Sequence, residues 1–131
     1  MKSQTAIEYM VIIAIAVAAI IPFFYFSLIR TSDSIIVSQA QDTVDTLAKA
    51  SDYVYSLGVG SSTQVSVTIP KNVVQSSIQS KTILLKVKLS SGTSDIKAVT
   101  KADVFGTIPS NQGTYKMLVN MTGTQVEIRQ G

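Results

Sequence analysis

An unbroken apolar run from Met10 to Ile29 constrains this chain more than any other feature of its sequence. The run reads MVIIAIAVAAIIPFFYFSLI, and Glu8 is the only charged residue between residues 6 and 29. As a helix with ~1.5 Å rise per residue it spans ~30 Å, the thickness of a hydrocarbon core. A helix that is apolar on every side has to be buried, so we expect lipid or other copies of the chain to cover it.

Three interpretations of the run compete. A secretory signal peptide has a shorter apolar core, followed by small residues at a cleavage site. Here Pro22 and an aromatic cluster, residues 23–26, occupy that place, so removal after the run is not expected. A permanent membrane anchor fits the length. So does a helix that waits in the membrane and then packs into the core of a polymer.

Glu8 lies at the edge of the apolar run, where a carboxylate is costly unless it is paired. Two explanations remain open from the residues alone. Glu8 can lie at the headgroup level, where a negative charge near a helix N-terminus is favourable. Alternatively, a neighbouring chain in a polymer can supply a cation to Glu8.

The first nine residues, MKSQTAIEY, resemble the class III signal of archaeal type IV pilins. In that family a short basic leader precedes a Gln, a Glu follows four residues later with Tyr or Phe next, and the hydrophobic helix continues without a gap. The resemblance implies cleavage of the Ser3–Gln4 bond by a prepilin peptidase. It also implies that Gln4, Glu8 and Tyr9 act in assembly, the new amine of Gln4 pairing with Glu8 of an adjacent subunit. Ser3 departs from the family, which usually has Gly there.

A helical pattern continues beyond the apolar run. Apolar or small residues recur at 4-4-3-4-3 spacing on one face, at Ile36, Ala40, Val44, Leu47, Ser51 and Val54. Residues 31–34 are either a polar turn of one helix or a break with a new N-cap. We predict one continuous helix from about Thr5 to Leu57, ended by Gly58 as a left-handed C-cap. Such a rod of ~80 Å is longer than any small domain needs.

From residue 63 the hydrophobic period changes from 3.6 to 2, which predicts strands. The alternating apolar positions are Val65, Val67, Ile69; Ile83, Leu85, Val87, Leu89; Tyr115, Met117, Val119; and Val126, Ile128. Further strands are predicted near 95–100 and 102–108, whereas residues 71–80 are either a loop or a short strand. The pattern is typical of an antiparallel sheet or sandwich of five to seven strands.

The fold class expected is therefore α+β, with a long N-terminal hydrophobic helix followed by an antiparallel β-sandwich-like head. We expect the head to pack on the C-terminal half of the helix, because about 70 residues form only a thin core by themselves. The predicted divisions are a leader at residues 1–3, the helix at 4–57 and the head at 58–131. The head also resembles archaeal pilin heads in the succession of residues 57–62, 65–70 and 113–115.

The residue composition argues against catalysis. The chain has no Cys and no His, so thiolate chemistry and the commonest metal ligand and general base are missing. We expect no catalytic, cofactor or metal site and no enzymatic activity. An acidic segment (residues 31–57) precedes a basic one (residues 71–101) whose lysines lack interleaved Arg and aromatic residues, so no nucleic-acid partner is expected. Lys86 and Lys88 form either an ordinary solvated strand face or a contact for the acidic stripe of a neighbouring subunit.

Asn120 begins the sequence Asn-Met-Thr, an acceptor pattern for N-glycosylation. The alternation of its strand predicts that Asn120 faces solvent. The simpler alternative is an unmodified residue on the outer face of a strand.

The resemblance implies the major structural subunit of an archaeal type IV adhesive pilus. It implies a membrane-inserted precursor, a prepilin peptidase and pilus assembly machinery as partners, and a homopolymer held by the N-terminal helices in an extracellular filament at the cell surface. Three alternatives remain: an archaellum filament subunit, a minor pilin, and a monomeric membrane-anchored surface domain.

Overall fold

The structure is a computed structural model and describes residues 2–131. Within these residues the chain forms one α-helix, α1 (Lys2–Leu57), and seven strands. The strands are β1 (Ser62–Ile69), β2 (Val73–Gln79), β3 (Thr82–Leu89), β4 (Gly92–Val99), β5 (Asp103–Gly106), β6 (Gly113–Thr122) and β7 (Gln125–Gln130). The predicted α+β fold class, a long apolar helix followed by a sandwich-like head, is confirmed.

α1 passes through residues 31–34 without a break, so the prediction of one continuous helix is confirmed. It begins at Lys2, before the predicted start at about Thr5, and it includes Pro22. It ends where Gly58 adopts a left-handed conformation (φ 97°) while its N–H donates to the carbonyl of Val54 at 3.2 Å. A residue without a Cβ adopts this conformation at no steric cost, as the predicted C-cap requires.

The described residues divide into two compact units, one up to residue 33 and the other from residue 34 to residue 131. The boundary falls within α1, so the second unit contains the C-terminal part of the helix together with all seven strands. In this part of α1 all six residues of the predicted apolar face are buried, from Ile36 to Val54. The five apolar residues among them join the strands in one hydrophobic cluster. The helix therefore supplies core that a thin β head lacks.

The strands form two sheets. The order is β1-β6-β7-β5 in the four-stranded sheet and β2-β3-β4 in the three-stranded sheet. All neighbours pair antiparallel except β5 and β7, which are parallel. β5 and β7 therefore run in the same direction, opposite to that of β6. Nine of the twelve predicted period-2 positions are buried: Val67, Ile69, Ile83, Leu85, Val87, Met117, Val119, Val126 and Ile128. The other three, Val65, Leu89 and Tyr115, are partly buried and pack against the core.

The strand boundaries depart from the sequence expectation in places. Of the two alternatives predicted for residues 71–80, a loop or a short strand, the structure shows a strand, β2, at residues 73–79. Asn72 (φ 65°) and Ser80 (φ 46°), next to its two ends, adopt left-handed conformations. β4 begins and ends earlier than predicted, at Gly92–Val99, and β5 is shorter, at Asp103–Gly106. Polar residues or adjacent apolar residues interrupt the pattern in these segments, so their hydrophobic alternation is weak.

Within the second unit, α1 contacts β1, an edge strand of the four-stranded sheet. The Thr43 hydroxyl donates to the carbonyl of Thr68 in β1 at 2.7 Å. Further along α1, a carboxylate oxygen of Asp52 accepts the N–H of Lys101, after β4, at 2.8 Å. The helix thus joins an edge of the four-stranded sheet to the loop that leaves the three-stranded sheet.

β5 passes very close to β7. A Cβ added at Gly106 would lie 1.9 Å from the carbonyl oxygen of Ile128, and Gly106 has a φ of 130°. Any other residue at this position would clash with the backbone of β7 in addition to being strained.

Candidate functional site

The residues predicted to act in cleavage and assembly lie in the first turns of α1. Ser3, Gln4, Glu8 and Tyr9 are all helical and exposed, and Tyr9 is 64% exposed. Because Gln4 and Glu8 are four residues apart, they lie on one face, about 5–6 Å apart along the helix axis. Tyr9 lies about 100° further round. The helix therefore brings together the amide of Gln4 and the carboxylate of Glu8.

The Ser3–Gln4 bond lies in the first turn of α1. The first four N–H groups of a helix have no partner within the helix, and terminal turns open at little cost in free energy. A peptidase that needs an extended segment can therefore reach this bond without unfolding the helix beyond it.

The apolar part of α1 exposes its side chains on all sides. Fifteen large hydrophobic residues from Ile7 to Leu28 are 50–73% exposed within the described chain. Five of them, residues 9–13, are consecutive, and successive residues point about 100° apart around a helix. The largest apolar patch on a typical soluble monomer is only about 300–600 Å². Since full burial of each such side chain contributes about 1.5–3 kcal/mol, the driving force for covering this surface is large.

By length and composition, α1 can cross a membrane, and none of its most apolar segment is buried within the structure. The core helix of a soluble domain would be covered by its own chain, which is not the case here. The segment is therefore compatible with membrane insertion.

An aromatic cluster lies near the end of the apolar run. The rings of Phe23 and Phe24 are 6.4 Å apart in an edge-to-face arrangement, and those of Tyr25 and Phe26 are 6.1 Å apart. Arg30 follows one turn later. Aromatic residues and a cation at one end of an apolar span are typical of a membrane–water interface.

Asn120 lies in β6, a central strand, opposite Ser62 of β1 and Glu127 of β7. Its neighbours in sequence, Val119 and Met121, are buried, so Asn120 points to the outer face of the sheet. It is only half-exposed, because strands flank it on both sides. Its glycosylation stays a prediction.

A polar groove between α1 and β1 was not found by sequence reasoning. It has a volume of about 270 Å³ and is lined by Gln39, Asp42, Thr43, Thr46, Ser66, Val67 and Thr68. The sequence shows Asp42 only as one of several charges on a helix. The groove exists because α1 lies beside the edge of β1, and that placement depends on contacts between residues far apart in the chain.

No protein-family model, curated protein or solved structure matches this chain. Among residues 2–131, no three acidic, His or Cys side chains form a group that could hold a metal ion.

Proposed function

We propose that this chain is the major structural subunit of an archaeal type IV adhesive pilus. One observation carries the proposal: the apolar residues 7–28 are exposed around the whole circumference of a helix. The motif formed by Gln4 and Glu8 lies directly at the start of this surface, and its resemblance to the archaeal class III signal gives the surface a specific use.

The mechanism is assembly without chemistry in the mature subunit. A precursor inserts in the membrane through α1, a prepilin peptidase cuts the Ser3–Gln4 bond, and the assembly machinery moves the helix from lipid into a bundle of identical helices. Between helices the apolar side chains then pack against each other instead of against lipid. Packing and hydrogen bonds supply the cohesion in such a bundle, because lipid is as apolar as the helices.

Glu8 gives the bundle a defined register. An unpaired carboxylate in an apolar interior costs several kcal/mol, whereas a paired one is tolerated. Cleavage before Gln4 creates a new amine, which supplies a positive charge to Glu8 of an adjacent subunit. Uncut chains lack this charge at Gln4, so cleavage and assembly are linked.

A monomeric membrane-anchored surface domain is the second candidate. The length of the apolar run favours it, because about 20 residues match a bilayer without any need for polymerisation. In that case Glu8 lies among headgroups and contributes nothing specific.

Sequencing the major protein of purified surface filaments from its N-terminus tests the proposal. We expect a chain that starts at Gln4. A chain found only in the membrane fraction and still bearing Met1 would refute the pilus proposal and favour the anchored domain. Swimming defects would indicate an archaellum subunit, and low abundance in the filaments would indicate a minor pilin.

The variant Glu8→Ala tests the assembly contact. We expect filament yield to fall at least ~10-fold, since breaking a buried ion pair costs about 3–5 kcal/mol. Glu127→Ala, the same change on the outer face of β7, is the matched control and should assemble normally. Equal filament yields for both variants would remove Glu8 from the mechanism.

A further inference from the structure

The outward side of the three-stranded sheet carries a basic face, formed by Lys86, Lys88 and Lys97. Lys86 stands opposite Asp95 in the β3–β4 register, and Lys97 stands opposite Leu84. Lys88 and Lys97 are exposed, and Lys86 is half-buried. Three lysines against one aspartate leave this face with a net charge of +2.

The groove between α1 and β1 has the opposite character. Asp42 is exposed in its wall, and Gln39, Thr46, Ser66 and Thr68, which also line the groove, are polar residues with oxygen atoms that can accept hydrogen bonds. Asp45, on the next turn of α1, adds a second negative charge close by. A lysine ammonium has three donors and no acceptor, so a concave surface with a carboxylate and several oxygens suits it.

These two surfaces lie in different places on the same compact unit. The groove lies where α1 meets an edge of the four-stranded sheet, and the basic face is the outer side of the other sheet. A contact between them joins different surfaces of two copies. Such a contact repeats from copy to copy, and it generates a ring or an open helical assembly instead of a closed dimer.

We propose that the groove beside Asp42 receives lysine side chains from the basic face of a second copy of this chain. The inference rests on the proposed filament function for its setting and adds a contact between heads to the contact between N-terminal helices. An exposed ion pair changes an association equilibrium only about 1.5- to 5-fold. The contact therefore sets the orientation of neighbouring heads, and the apolar helices supply most of the cohesion.

Charge reversal with rescue tests the pairing. We expect Asp42→Lys and the double variant Lys86→Glu/Lys88→Glu each to raise the unassembled fraction of the chain about 5-fold. Combining all three changes should restore assembly towards the wild-type level. Arg129→Glu reverses an exposed cation on the outer side of β7, two strands away from the groove, so it is the control and should have no effect. Circular dichroism checks that each variant keeps its fold.

Three results would overturn the proposal. The first is unchanged assembly in both reversed variants, and the second is a combined variant that assembles no better than either parent. An effect of Asp42→Lys without an effect of Lys86→Glu/Lys88→Glu would also overturn it, because another cation would then occupy the groove.

Zero-length crosslinking tests the same contact without depending on filaments. A carbodiimide joins a carboxylate to an amine only when they are in contact, and a mixture of isotopically labelled and unlabelled wild-type chains marks links between copies. We expect mixed-isotope links from Asp42 to Lys86, Lys88 or Lys97. If these links are absent from assembled material, the contact between heads is wrong and the filament proposal stands. If the wild-type chain gives these links but forms no filaments, the filament proposal is wrong and the contact between heads stands.

Discussion

Replacing Leu47 by Ala tests whether the C-terminal part of α1 belongs to the core of the head. Leu47 is fully buried, while Leu57 in the last turn is 57% exposed and Leu28 in the apolar run is 68% exposed. The same substitution at these three positions of one helix removes the same atoms from three different environments. We expect a large loss of stability at Leu47 only.

The magnitude follows from burial. Leu→Ala in a packed core costs about 2–5 kcal/mol, because the transfer free energy is lost and a cavity remains. In a domain of this size each kcal/mol lowers the melting temperature by about 4–8 °C, so a loss of about 3 kcal/mol lowers it by about 12–24 °C. Surface substitutions usually stay within about 0.5 kcal/mol, so Leu57→Ala and Leu28→Ala should change the melting of the head by a few degrees at most.

The assay is thermal unfolding of the full-length chain in mild detergent, which covers the apolar part of α1. The chain has no Trp and five Tyr, and Tyr115 packs against the core, so near-ultraviolet circular dichroism reports the packing of the head. Far-ultraviolet signals alone would mix the head with the helix inside the micelle. If Leu47→Ala melted within about 3 °C of Leu57→Ala, the helix would not be part of the cooperative core, and our account of the second unit would be wrong.

Three further predictions concern single contacts. Thr43→Val should cost about 1–2 kcal/mol in chemical unfolding, because the carbonyl of Thr68 loses its hydroxyl donor, while Thr43→Ser should retain most of the stability. Gly106→Ala should destabilise the head by more than about 3 kcal/mol. Its control is Gly92→Ala, which has a similar φ but open space around it and should cost about 1–2 kcal/mol. Equal losses of stability in the two variants would argue against the close approach of β5 and β7. Intact mass measurement of the chain from its native host should show a glycan that Asn120→Gln removes, and an unmodified wild-type mass would exclude glycosylation there.

The sequence by itself determined the elements with strong periodicity. The 3.6-residue pattern from Ile36 to Val54 predicted the buried face of α1, and the alternation around Met117 and Ile128 predicted which strand residues point inwards. These predictions succeed because helix and strand geometry fix which neighbours in sequence share a face. The left-handed Gly58 was predictable for the same local reason, since few other residues adopt that conformation.

Only the tertiary structure decided which strands pair and where the helix lies. β1 pairs with β6, about fifty residues away, and β5 pairs in parallel with β7. The alternation of apolar and polar residues along a strand is the same whichever strand lies beside it. It therefore predicts which face of the sheet Asn120 is on, but not that the neighbouring strands β1 and β7 partly bury Asn120. The groove beside Asp42 likewise requires the helix to lie against a sheet edge. Pairing and docking depend on contacts between distant residues, and local sequence patterns carry little information about them.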